Sequence, residues 1–127
     1  MVPSPIAQLD CVILLCDDIE SMRAFYCDVM ELPLAARSDK WMEFRLRNCT
    51  IVLRPRGRSY DGKSATQDSV AVQLAFRVEA HEVDEWYRDL VRKGAEIVEA
   101  PIDQGWGHRT LFFHDPEGSL LEIYAEI

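Results

Sequence analysis

The chain has 127 residues, 48% of them hydrophobic, which supports one sizeable core but leaves little room for two independently folded domains. Its net charge of -8 argues against a nucleic-acid backbone or an anionic membrane as partner, because both reward a basic surface. There is no run of about twenty apolar residues to cross a bilayer. The opening MVPSPIAQLD also lacks the charged and apolar regions of a signal peptide, so the expected location is the cytoplasm.

In chain order, Leu9 to Cys16 (LDCVILLC) is an apolar run of strand length. Asp17 or Asp18 can cap the next segment, where Ile19, Met22, Ala24, Phe25, Val29 and Met30 recur at near-helical intervals until Pro33. Strand-like pieces follow at Leu34 to Arg37, Trp41 to Arg47 and Thr50 to Arg54, with Arg47-Asn48 as a tight connection. This half reads βαβββ. The polar stretch from Arg56 to Ser69 reads as a linker or a mobile flap.

The second half begins again with a strand at Val72 to Val78. A helix follows whose apolar stripe is Val83, Trp86, Tyr87, Leu90 and Val91 and whose end lies near Gly94. Strands are expected at Ala95 to Glu99, His108 to Phe113 and Ser119 to Ile127, with DPEG turning between the last two. The order is βαβββ once more. AFY at 24–26 answers EWY at 85–87, and Trp41 before one strand answers Trp106 before another, a shift of about sixty residues. We read a single domain over residues 1–127, built of a module at 8–56 and a module at 70–127 joined by the polar linker.

The cysteines at 11, 16, 27 and 49 form no CxxC pair and read as free thiols. The histidines at 81, 108 and 114 form no HExxH or comparable ligand spacing. Strand alternation sorts side chains by face: Cys11, Ile13 and Leu15; Thr50, Val52 and Arg54; and Gln73, Ala75 and Arg77 lie opposite the residues that back onto the helices. On the last strand, Leu121, Ile123 and Ala125 back the helix, which leaves Glu122 and Tyr124 on the other face. A carboxylate in so apolar a strand needs a metal, an arginine such as Arg54 or Arg77, a ligand or water.

LDCVILLCDDIESMRAFY, VQLAFRVEAHEVDEWY and GHRTLFFHDPEGSLLEIY together resemble the vicinal oxygen chelate superfamily, which includes glyoxalase I, bleomycin-resistance proteins, fosfomycin-resistance enzymes and extradiol dioxygenases. The resemblance implies an α+β fold in which two βαβββ modules form a curved mixed-sheet cup with helices outside, usually within a homodimer. It also implies four positions where metal-dependent members carry ligands, and these hold Cys11, Val52, Gln73 and Glu122 here. Val52 cannot coordinate and Cys11 is a soft donor where the family has imidazole or amide, so the expected cup holds no metal cofactor. If a divalent ion (Zn, Ni, Mn or Fe) binds, Gln73, Glu122 and Cys11 are its candidate ligands.

The function expected from this is binding of a small organic ligand, in the manner of the bleomycin-resistance branch, with no nucleic-acid or membrane partner. Cys11, Ile13, Trp41, Val52, Arg54, Gln73, Arg77, Trp106, Glu122 and Tyr124 are the expected ligand-lining residues. The alternative is a divalent-metal-dependent lyase or isomerase of the glyoxalase type acting on vicinal oxygens, with Glu122, Tyr124 and His108 as catalytic candidates. A third reading is a structural or regulatory protein with a vestigial cup.

Overall fold

The computed structural model describes residues 3–63 and 72–127, so residues 64–69 of the expected linker and the first two residues of the expected second module lie outside the described residues. Two compact units divide at Asp61/Gly62. Each has the element order expected of its half.

In the first unit, β1 (Cys11–Cys16) is followed by α1 (Ile19–Ala24), a π-helical turn (Phe25–Val29), β2 (Leu34–Ser38), β3 (Trp41–Arg45) and β4 (Thr50–Pro55). Asp18, not Asp17, is the N-cap: its carboxylate accepts from the Ser21 backbone N–H at 3.2 Å and from the Ser21 hydroxyl at 2.6 Å. The sheet order is β1-β4-β3-β2, with β1 parallel to β4 and the other pairs antiparallel. The tight connection between β3 and β4 closes with the Leu46 N–H donating to the Cys49 carbonyl at 2.9 Å. Met22, Phe25, Tyr26 and Met30 meet the helix-side residues Leu14, Cys16, Met42, Phe44, Ile51 and Leu53 in the core. Tyr26 and Phe44, both 0% exposed, have ring centroids 6.2 Å apart.

The second unit holds β5 (Gln73–Arg77), α2 (Ala80–Arg92), β6 (Glu96–Asp103), β7 (His108–His114) and β8 (Leu120–Glu126). Its sheet order, β5-β8-β7-β6, repeats the first, and β5 is again parallel to β8. At the start of α2 the Glu82 carboxylate accepts from the Glu79 backbone N–H at 3.0 Å. Val83 and Leu90 pack with Leu111, Phe113, Leu121, Ile123 and Ala125, all essentially inaccessible to solvent. The DPEG turn is built on Asp115, whose carboxylate accepts from the N–H groups of Glu117 and Ser119 at 3.0 Å each, and Gly118 adopts a φ of 86°.

The architecture is α+β, two four-stranded mixed sheets each with its own helix. β6 runs further than expected, to Asp103 instead of Glu99, through register irregularities between Ile97 and Ile102.

Candidate functional site

Register in β5, β8 and β7 assembles a polar face on the second sheet. Gln73 pairs with Leu120 and Ala75 with Glu122, so Gln73 and Glu122 sit diagonally across the parallel pair on the face away from α2. The Gln73 side-chain amide donates to a Glu122 carboxylate oxygen at 3.1 Å. Glu122 is 9% exposed, and this neutral amide is its one hydrogen-bonding side chain among the described residues. Desolvation of a carboxylate costs several kcal/mol, and a single amide offsets only part of that.

The DPEG turn sets the β7–β8 register from His114 opposite Leu120, so Phe112 lies opposite Glu122 and Thr110 opposite Tyr124. The half-buried His108 and Tyr124 rings stack with centroids 4.7 Å apart and planes 26° from parallel. His108 is therefore part of the sheet, as the strand expected from His108 requires, and in contact with an aromatic ring. Next to it the Gln104 amide donates to the Thr110 hydroxyl at 2.9 Å and to a Glu99 carboxylate oxygen at 3.0 Å. The face thus offers carboxylate, amide, imidazole and phenol groups, on strands for the most part and so with little conformational freedom, while the fully buried Thr110 hydroxyl anchors the Gln104 amide.

Several expectations are corrected. Each arginine expected to meet Glu122 pairs with another carboxylate of its own unit. Arg54 makes a two-pronged ion pair with Asp61, at 2.5 and 2.9 Å, and Arg77 pairs with Glu126 at 3.0 Å. The Arg54 guanidinium, with help from the N–H groups of Gly57 and Arg58, holds the Asp61 carboxyl well below the usual carboxylate range. Residues 56–61, expected to be linker or flap, are accordingly tied to the end of β4.

Trp106 is 64% exposed in the turn before β7. Trp41 is half-buried, its indole N–H donating to Glu43 at 2.8 Å. Ile13 is exposed and Cys11 half-buried on β1, while Val52, at 1% exposure, presents no surface to a ligand. Cys11, Ile13, Trp41, Val52 and Arg54 all belong to the first unit; Gln73, Arg77, Trp106, His108, Glu122 and Tyr124 belong to the second.

Glu99, Gln104, Thr110 and Phe112 were not anticipated. Phe112 and Thr110 had a usable signal, since counting back from DPEG places them opposite Glu122 and Tyr124. Glu99 and Gln104 had none, because the irregular β6–β7 pairing decides their position.

The metal expected of some superfamily members can be tested against these donors. Within the second unit the family's ligand positions supply one amide and one carboxylate, where a catalytic site takes about three protein ligands. No group of three or more His, Cys, Asp or Glu side chains suited to a metal occurs among the described residues. The residues of this face do not by themselves fit a catalytic metal.

Residues 8–123 match the family model described as the Glyoxalase/Bleomycin resistance protein/Dioxygenase superfamily. Among curated relatives, the chain is 24% identical over 111 residues to the metallothiol transferase FosB of Staphylococcus saprophyticus, covering 85% of this chain and 70% of that protein. Among solved structures, a glyoxalase/bleomycin resistance protein/dioxygenase from Nocardioides aligns with a TM-score of 0.82 at 21% identity, over 99% of this chain and 87% of that one. The fosfomycin resistance protein FosX of Listeria monocytogenes aligns with a TM-score of 0.74 at 22% identity, over 97% and 96%.

Proposed function

Since the chain belongs to the glyoxalase/bleomycin resistance protein/dioxygenase superfamily, the vicinal oxygen chelate superfamily, we propose that it binds a small organic molecule at the polar face of its second sheet. The manner is that of the superfamily's bleomycin-resistance branch. The observation that carries this reading is Glu122, a desolvated carboxylate with one neutral partner. Such a group gains most from a ligand N–H, O–H or cation, because a charge-assisted hydrogen bond is about twice as strong as a neutral one. Gln73 orients the carboxylate, the His108–Tyr124 stack supplies a flat apolar wall, and the Gln104 amide, anchored on the buried Thr110 hydroxyl, adds a neutral hydrogen-bonding group. Binding of this kind needs no chemistry from the protein.

A second reading is favoured by one contact: Gln73 and Glu122, two of the superfamily's ligand positions, touch. In that reading the protein is a metal-dependent lyase, isomerase or transferase, as the name of the FosB relative suggests, and Tyr124 or His108 donates a proton to the substrate. The remaining ligands would be water or the substrate's own oxygens.

The proposal also covers the unit organisation and assembly. The two units act as one domain, and the strands at the sheet edges, β1, β2, β5 and β6, are covered in a cytoplasmic homodimer. The test is a thermal-shift screen of organic cations and neutral polyols on metal-stripped wild type and Glu122→Gln. At least one compound is expected to raise the wild-type midpoint and to lose most of that effect in the variant. Stabilisation that persists in Glu122→Gln sinks the reading. Stabilisation seen only after Mn, Fe, Ni or Zn is added transfers it to the metal-dependent alternative.

A further inference from the structure

A second site of different character lies in the first unit. A pocket of about 310 Å³ is lined by Lys40, Arg54, Pro55, Arg56, Gly57 and Arg58. Its lining contains four cationic side chains and no carboxylate, in a chain with 22 acidic and 14 basic residues. Random placement of so few cations in so acidic a protein does not favour such a cluster.

Two of the four cations are already neutralised. Arg54 is held by Asp61, and Arg56 donates to Asp17 at 3.0 Å and to the Asp61 backbone carbonyl at 2.8 Å. The other two are not. Among the described residues, Arg58 donates only to the neutral Tyr60 hydroxyl, at 3.1 Å, and Lys40 has no ion-pair partner. Asp61 also accepts the backbone N–H groups of Gly57 (2.9 Å) and Arg58 (2.8 Å), which fixes the loop from which Arg56 and Arg58 project. The buried Arg54–Asp61 pair therefore acts as a clamp that shapes the loop, and the charge left over is about two positive units.

We infer that this pocket binds a phosphate monoester. A tetrahedral dianion matches the two unneutralised cations in charge and meets guanidinium N–H groups in a forked geometry, whereas a carboxylate monoanion leaves one of the two charges unmatched. The volume admits a phosphoryl group with a small organic substituent. The site shares no residue with the Glu122 face and does not depend on its function.

The experiment is a phosphorus NMR and calorimetric titration with phenyl phosphate. Inorganic phosphate and benzoate are run in parallel on wild type, the Lys40→Ala/Arg58→Ala double variant and the Arg92→Ala control. Lys40 and Arg58 are exposed, so the double variant keeps the Arg54–Asp61 clamp. Saturable phenyl phosphate binding is expected, weakened about tenfold or more in the double variant, unchanged in the control and reduced by added salt. Absence of saturation, equal affinity in the double variant, or benzoate binding as tightly would overturn the inference. Inorganic phosphate binding as tightly as phenyl phosphate would overturn the ester assignment. Glu122→Gln leaves this binding untouched, so its outcome is separable from that of the proposed function.

Discussion

The two modules share a topology and a register but put different chemistry at equivalent points. In the first, Cys11 pairs with Thr50 and Ile13 with Val52; in the second, Gln73 pairs with Leu120 and Ala75 with Glu122. Cys11/Val52 and Gln73/Glu122 thus occupy the same diagonal. One diagonal is a thiol beside a valine at 1% exposure, and the other is an amide bonded to a carboxylate at 9%. Duplication preserved the backbone pattern, which depends on alternation and turn chemistry, while the side chains away from the helices diverged. Only the second module keeps a polar pair at this position. The first carries its buried charge elsewhere, in Arg54–Asp61, and unlike Glu122 that charge is fully paired.

Exchanging the two diagonals breaks the comparison most severely. Val52→Glu introduces a carboxylate at a dry, apolar position and is expected to cost at least about 3 kcal/mol in urea denaturation. Glu122→Val removes a poorly compensated charge and should change stability by about 1 kcal/mol or less in either direction. Equal costs for the two would mean that the modules are not distinguished by how they accommodate charge.

Next in size is Asp61→Asn, which leaves Arg54 without its ionic partner and should lower the denaturation midpoint by more than any single exposed ion-pair deletion, for example Glu126→Gln. Asp61 has a depressed carboxyl pKa in the folded protein. Its contribution is therefore fully present above the unfolded value of about 3.9 and is lost as pH falls toward the lower folded value. The stability gap between wild type and Asp61→Asn should be constant from neutral pH down to about one unit above the unfolded value and shrink as pH falls further. A gap that narrows at pH 6 would contradict the pairing.

The smallest expected effects lie at the helix ends. After α2, Gly94 takes a φ of 80°, while the corresponding residue after the π-turn is Glu31 at a φ of 53°. Gly94→Ala should cost about 1 kcal/mol, and Glu31→Gly should stabilise by about 0.5 kcal/mol, both read from thermal midpoints. A destabilising Glu31→Gly would show that its side-chain contacts outweigh the backbone strain.

Much of this was legible in the residues. The alternation of VQLAFRV and LLEIYAE sorted Gln73, Glu122 and Tyr124 from the helix-packed Leu121 and Ile123, because the two-residue period of a strand is local. The apolar stripe of α2 and the DPEG turn were equally plain. The interior of the site was less so. Gln104 reaches Thr110 and Glu99 only through the irregular pairing of β6, and Asp61 reaches Arg54 only because a loop without periodicity folds back on β4.

The sequence by itself determined the element order, the duplication and the face each strand residue takes, since these follow from short-range sterics and hydrophobic period, and its motifs carried the resemblance to the family. The partners of the charges were decided by tertiary structure alone. Glu122 meets Gln73 from 49 positions away, and Arg54 takes Asp61 in preference to the carboxylate expected for it. Pairing of buried charge depends on which side chains the register and the loops bring within about 3 Å, and a residue's own neighbours in sequence do not encode that distance.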